Sequence, residues 1–129
     1  MSLQLTIVTP AQIAYEGTAD EVQAPGWTGE FGVKPDHAAL LTLSRPGVVT
    51  IHEGGSQRRF LVGKGVAEAG PDRLTLLVDL CEDPAEIDKD AAKADLQAAQ
   101  ADLKTTAPGT PERQHVEDRI ALAQARVSA

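Results

Sequence analysis

The chain has 129 residues, 42% of them hydrophobic but only 3% aromatic, and a formal net charge of -7. That length suits one domain, or one domain with a small appendage, around an aliphatic core. The acidic balance excludes an electrostatic nucleic-acid binder, because the cations are scattered and the one adjacent pair, Arg58-Arg59, makes no basic patch.

At the N-terminus, residues 1–6 lack the basic and apolar regions of a signal peptide and the arginines of a transit peptide. The expectation is a protein that starts here, in a bacterial cytoplasm. Leu3, Leu5 and Ile7 then alternate with Gln4, Thr6 and Val8, the period of a half-buried strand. Ile13 and Tyr15 repeat the pattern before Gly17-Thr18, and Val22 and Ala24 form a short strand before Pro25-Gly26. The stretch Gly29-Glu30-Phe31-Gly32-Val33-Lys34-Pro35-Asp36-His37-Ala38 is rich in turn formers, and Pro35 pushes Lys34 away from helical angles. It reads as an ordered surface loop, the kind of segment that carries function. Phe31 there is either an interface anchor or a cap over one end of the core, and Trp27 has the same two readings.

Residues 40–43 make an apolar strand that ends at Pro46-Gly47. Residues 48–52 and 58–62 flank Glu53-Gly54-Gly55-Ser56, a hairpin turn. Gly63 and Gly65 punctuate the next strand, 66–69, and mark a bulge or a close backbone approach. Gly70-Pro71-Asp72 turns the chain into 74–80, the strongest strand candidate. Cys81, with no second cysteine to pair with, reads as a small buried residue on a strand and points to a reducing compartment. Strands at eight-to-twelve-residue spacing predict an antiparallel sandwich or a flattened barrel.

After Asp83-Pro84 the composition turns to alanine, glutamine, lysine and acids, all good helix formers. Asp83-Pro84-Ala85-Glu86 resembles a capping box, and Asp88 is an equally good cap. Ala92, Leu96, Ala99 and Leu103 share one face of the first helix. Thr110-Pro111 starts a second helix, with Val116, Ile120, Ala123 and Val127 on one stripe. The fold class is therefore α+β: a β-sandwich domain over 1–84 and an antiparallel helical hairpin over 85–129. Alanine-rich facing surfaces bury little, so the hairpin is expected to be marginal alone and able to detach.

No catalytic constellation stands out. His37, His52 and His115 have no cysteine at zinc spacing. Val62-Gly63-Lys64-Gly65 lacks the end of a phosphate loop, and Ser44 with His37 has neither an acid partner nor an elbow motif. Neither enzymatic activity nor a cofactor is expected. No apolar run reaches the ~20 residues of a membrane span, so membrane association would come only through a partner.

The run from Gly29 to Gly47, with its Pro35-Asp36-His37-Ala38 and Leu40-Leu41 and closing Pro46-Gly47, resembles the epsilon subunit of bacterial F-type ATP synthase. Leu5-Thr6-Ile7-Val8-Thr9-Pro10, Gly17-Thr18-Ala19-Asp20-Glu21-Val22, Phe60-Leu61-Val62-Gly63-Lys64-Gly65-Val66-Ala67-Glu68 and Leu74-Thr75-Leu76-Leu77-Val78-Asp79 extend the likeness, and residues 86–127 match in kind. The resemblance implies a sandwich of about ten strands and a non-catalytic rotor subunit, peripheral on the cytoplasmic face of the inner membrane. Its implied partners are the gamma subunit, the c-subunit ring and, through the helices, the alpha and beta subunits. It places Glu30, Phe31, Gly32 and His37 near gamma and the c-ring, and makes Asp88, Arg113, Arg119 and Arg126 of the hairpin regulatory, acting to inhibit ATP hydrolysis. Some members bind ATP through an Ile/Leu-Asp-x-x-Arg-Ala motif; here Ile87-Asp88-Lys89-Asp90-Ala91-Ala92 has alanine at the arginine position, which removes the planar phosphate partner. Ala39 stands where proline commonly follows the His-Ala pair. The alternative from another class is a free-standing sandwich that binds a small ligand or carbohydrate, with a helical oligomerisation tail.

Overall fold

The structure, a computed structural model, describes residues 2–129; Met1, where the expected first domain begins, lies outside the described residues. Ten strands come first: β1 (Leu3–Val8), β2 (Ile13–Ala19), β3 (Glu21–Gly26), β4 (Gly29–Val33), β5 (Leu40–Ser44), β6 (Gly47–Glu53), β7 (Ser56–Val62), β8 (Gly65–Ala69), β9 (Arg73–Val78) and β10 (Cys81–Glu82). A 3-10 turn (Pro84–Glu86) leads into helices α1 (Lys89–Leu103) and α2 (Pro111–Ser128).

The strands form one sheet in the order β10-β7-β6-β3-β5-β8-β9-β1-β2, with β4 added beside β3. Between β3 and β5 the only registered pair is Gly26 with Ser44, and there the sheet folds over to make two facing layers. Leu3, Leu5, Ile7, Leu74, Leu76, Val22, Val33, Val49 and Ile51 fill the space between them. The alternation legible in residues 3–8 survives intact: Leu3, Leu5 and Ile7 are buried and Gln4 is exposed. Tyr15 and Phe60 close one end of the core with ring centroids 5.3 Å apart, and the Arg58 guanidinium stacks 5.3 and 5.0 Å from the two rings.

Two features differ from the sequence expectation. Gly29–Val33 is not a loop but a strand, paired with β3 from Val22↔Val33 to Gly26↔Gly29. Two glycines within five residues erase its hydrophobic alternation, and Gly29 takes a φ of 140° that the tight turn at Trp27-Thr28 requires. The sheet is antiparallel throughout except where β1 runs parallel to β9, Leu5 opposite Leu74 and Ile7 opposite Leu76. Closing the second layer brings the first strand to the last long one in the same direction, a non-local pairing without a local signature.

The glycines at 63 and 65 do mark a close approach. A Cβ on Gly65 would lie 1.8 Å from the Leu77 carbonyl oxygen, so β8 and β9 can meet only if that residue has no side chain. Gly54 and Gly55, at φ 57° and 82°, form the predicted hairpin turn between β6 and β7. Both candidate helix starts are used: Asp83 Oδ1 accepts from the Ala85 N–H to cap the 3-10 turn, and Asp88 Oδ1 accepts from the Ala91 N–H to cap α1.

Gly65→Ala is expected to destabilise the fold by about 1–3 kcal/mol, the range for forcing extra volume into packed structure. Urea titration followed by far-ultraviolet circular dichroism measures it.

Candidate interaction site

Five exposed large apolar side chains break the general rule of polar outside: Trp27 (64%), Leu41 (73%), Leu43 (56%), Leu77 (48%) and Ile13 (58%). The strand register shows that they are not scattered. Leu43 opposes Val66, Val66 opposes Leu77, Leu77 opposes Val8, and Val8 opposes Ile13. Directly opposed residues share a face, so Leu43, Leu77 and Ile13, with the half-buried Val66 and Val8 between them, form one apolar row across β5, β8, β9, β1 and β2 on the outside of the second layer. Trp27 extends it, because its N–H donates to the Leu43 carbonyl at 3.1 Å. Leu41 continues it two residues along β5. The row beside it is polar apart from Leu41, with Glu68, Thr75 and Thr6 in register. A contiguous exposed apolar strip of this kind is the candidate interaction surface.

The residues singled out in the Gly29–His37 stretch fall into two places. Glu30 is exposed beside the β3–β4 turn that carries Trp27, and Gly32 is exposed farther along the same strand. His37 lies beyond the other end of β4, about 13 Å of strand away from Gly29. There Lys34-Pro35-Asp36-His37 forms a turn closed by the His37 N–H to the Lys34 carbonyl at 3.2 Å. The Asp36 N–H, in the left-handed region at φ 66°, donates to the Pro71 carbonyl at 2.6 Å. His37 Nδ1 sits 2.6 Å from the Ala38 carbonyl oxygen. Phe31 is half-buried and packs on the core, which leaves Trp27 as the free aromatic of this hairpin.

The hairpin arginines are all engaged within the chain. Arg113 caps the end of α1 by donating to the Leu103 and Thr106 carbonyls at 3.4 and 3.2 Å and pairs with Glu117. Arg119 bridges to Asp102 of α1 at 2.8 Å. Arg126 leaves the hairpin and grips Glu82 of β10 with two bonds, 3.0 and 2.7 Å. Asp88 is occupied as the α1 cap. A second ion pair joins Lys64, in the β7–β8 turn, to Asp118 of α2 at 2.6 Å. Below the junction a cleft of ≈ 450 Å³ is lined by Glu82, Asp83, Glu86, Asp88, Asp95 and Arg126, with Cys81 and Ala91 beside them.

Nothing draws the conceivable catalytic groups together. Ser44 is buried at the fold-over with its hydroxyl unpartnered, at the far end of β5 from the His37 turn. Cys81 is half-buried, and burial with the neighbouring Glu82 charge pushes its thiol up, away from the reactive thiolate. Among the described residues there is no group of three or more His, Cys, Asp or Glu that could hold a metal ion, and no helix is long and apolar enough to cross a membrane.

Fold and surface thus define a class: a β-sandwich joined to a helical hairpin, whose distinctive chemistry lies in contact surfaces. Residues 2–84 match the family described as ATP synthase, Delta/Epsilon chain, beta-sandwich domain. The chain belongs to this family. It is 39% identical over 87 residues to the ATP synthase epsilon chain of Rhodopseudomonas palustris (strain BisB18), a match that covers 67% of this chain and 64% of that one. To the ATP synthase epsilon chain of Anaeromyxobacter sp. (strain Fw109-5) it is 38% identical over 88 residues, covering 68% and 67%. In fold it is similar to a chain of the Euglena gracilis mitochondrial ATP synthase OSCP/F1/c-ring assembly, with a TM-score of 0.81 at 19% identity over 96% of this chain and 78% of that one. A chain of the Tetrahymena thermophila mitochondrial ATP synthase central stalk/c-ring gives 0.67 at 14% identity, over 99% and 96%.

The Lys64–Asp118 pair has a pH signature. The Asp118 hydrogen bond, then its charge, raises the Lys64 pKa above 10.5. Burial alone would raise the Asp118 carboxyl, but hydrogen bonds from Lys64 and Gln114, together with the charges of Lys64 and His115, outweigh it and hold it below 3.8. A depressed carboxyl stabilises the fold above its unfolded pKa and loses that contribution as pH falls through the folded value. The raised lysine contributes below 10.5 and loses it as pH rises further. Lys64 is largely exposed, so the pair is worth no more than about 1 kcal/mol. Thermal melts are expected to show an acid loss below pH 3.8 that is smaller in Asp118→Asn, with no change in that difference between about pH 5 and pH 9.

Proposed function

We propose that this chain is a non-catalytic subunit of the rotor of a proton-translocating F-type ATP synthase, held at the membrane surface by its partners. The observation that carries this reading is the unpaired apolar row of Leu43, Val66, Leu77, Val8 and Ile13, a surface too long and too regular for isolated exposure. The row is the docking face for the gamma subunit, with Trp27 as its aromatic anchor. The β3–β4 tip beside it, with Glu30 and Gly32, faces the loops of the c-subunit ring. An exposed glutamate there sets register more than affinity, since such pairs yield only about 0–1 kcal/mol. Phe31 supports that tip from within, and His37, held in its own turn at the opposite end, stays outside the c-ring contact.

Such a subunit transmits torque by rigid contact, which suits a closed sandwich with a filled core. The helical hairpin is the regulatory part, reaching toward the alpha and beta subunits when it leaves the sandwich. Its arginines, Arg113, Arg119 and Arg126, are already paired in the docked arrangement, so its inhibition of ATP hydrolysis is weak until it is released.

Co-purification with gamma tests the reading. Full-length chain and residues 1–84 should both retain gamma, and a Leu43→Glu/Leu77→Glu variant should lose it. The loss should be on the order of 30-fold or more in Kd, since central apolar anchors are worth about 2 kcal/mol or more. The sandwich should melt normally in that variant, because both side chains point outward. Recovery of the wild-type chain only as a free monomer or homo-oligomer would sink the rotor reading. Full gamma binding by the double variant would move the interface elsewhere.

A further inference from the structure

The first layer of the sandwich has its own outward apolar row, and this one is covered. Phe60 and Val62 pack toward the core, so Leu61 between them points outward, yet it is fully buried. Its register partners are Val48 on β6 and Glu82 on β10. Ala121, Gln124 and Ala125 of α2 face Pro46, Gly47 and Val48 across a shallow cleft, and Arg126 bonds Glu82. Asp118, Ala121, Leu122, Ala125 and Arg126 recur at i, i+3, i+4, i+7 and i+8, so they form a second stripe of α2. The first stripe, Val116, Ile120, Ala123 and Val127, has its two buried members, Val116 and Ala123, at the spacing that faces α1. One helix therefore presents two stripes at once, and the second is charged at its ends with Ala121, Leu122 and Ala125 between them.

We propose that this second stripe is a ligand-independent clasp: Lys64–Asp118 and Glu82–Arg126 pin α2 to the sandwich at either end of the stripe, and ionic strength rather than nucleotide sets how often the clasp opens. The inference concerns the isolated chain and stands apart from the rotor reading. Charge pairs on a partly exposed seam are weak and screened by salt, and a middle of two alanines and one leucine adds only modest apolar area. A bidentate guanidinium–carboxylate contact still fixes geometry, which defines a single docked position. The cleft beneath argues against a phosphate as the missing fastener. Its lining carries five carboxylates, from Glu82, Asp83, Glu86, Asp88 and Asp95, and its one cation, Arg126, is already committed to Glu82. Ala91 offers only a methyl group there. The hydrogen bonds from Lys89 to the Val127 and Ala129 carbonyls tie the two ends of the hairpin to each other, so α2 lifts with α1 attached.

Cys81 provides a native probe, because it is half-buried in this cleft and the chain has no other thiol. Its labelling by an aromatic disulfide reagent is measured at fixed pH on the full-length chain. Raising sodium chloride from about 0.05 to 1 M, which shortens the screening length from over 10 Å to about 3 Å, should speed wild-type labelling several-fold. Lys64→Gln and Arg126→Gln should each speed it at low salt, and together by at least tenfold. Removing the Arg126 charge would by itself disfavour the thiolate, so faster labelling reports opening. Glu82→Arg with Arg126→Glu should return the rate toward wild type. Millimolar magnesium-ATP should leave the wild-type rate unchanged. A wild-type rate that is flat with salt, an unchanged rate in the double variant, or slowing by ATP would each overturn the clasp.

Discussion

The whole molecule depends on one sheet folding over itself where Gly26 meets Ser44. At that point two backbones cross with almost no side-chain volume between them. The layers on either side can then close on Leu5, Ile7, Leu74, Leu76, Val22 and Val49. The same end of the sandwich needs Gly65, whose missing Cβ lets β8 lie against β9 beside Leu77. Folding over also sends β1 home beside β9, and the parallel pair seals the second layer. Burying this aliphatic core at about 25 cal/mol per Å2 supplies the driving force. Gly65 and Gly26 let neighbouring strands within each layer, β8 with β9 and β3 with β4, come close enough to pair.

A sheet closed in this way has two outer faces, and they meet different fates. The first layer turns Leu61 and Val48 outward; Leu61 is fully buried, and α2 lies against β6 beside the half-buried Val48. The second turns Leu43, Val66, Leu77, Val8 and Ile13 outward, with Leu43, Leu77 and Ile13 exposed and the two valines half-buried between them. Under the proposed function, gamma is the partner that occupies this strip. Two ion pairs, Lys64–Asp118 and Glu82–Arg126, join α2 to the sandwich, while the second face offers mainly apolar area.

The hairpin shows how a weak element keeps a defined place. Its helices are short on large apolar residues, and Ala92, Ala99, Val116 and Ala123 are the ones they bury. Internal polar contacts compensate: Arg113 closes the α1 end, Arg119 bridges to Asp102, and Thr110 caps α2 by accepting from the Arg113 N–H. Each is worth on the order of 1 kcal/mol or less, so the hairpin is a set of small terms without a dominant one.

Local physics wrote much of this fold into the sequence. Alternation in residues 3–8, the Gly54-Gly55 turn, the two aspartate caps and Thr110-Pro111 all act within a few residues, and each appears where its chemistry predicts. The family likeness was equally legible, since the Gly29–Gly47 stretch and the flanking strands lie within residues 2–84, which match the family as a block. Strand β4 was hidden because its two glycines carry no side chains to alternate. The parallel β1–β9 pair was hidden because register between strands some seventy residues apart has no local signal. The candidate surface was the least legible part. Ile13, Leu43 and Leu77 look like ordinary strand residues one at a time, and only the pairing of β5, β8, β9, β1 and β2 aligns them. Sequence alone determined the elements other than β4, their caps and the family, because those depend on near neighbours. Tertiary structure alone decided which apolar residues face water, because that depends on which strands come to lie side by side.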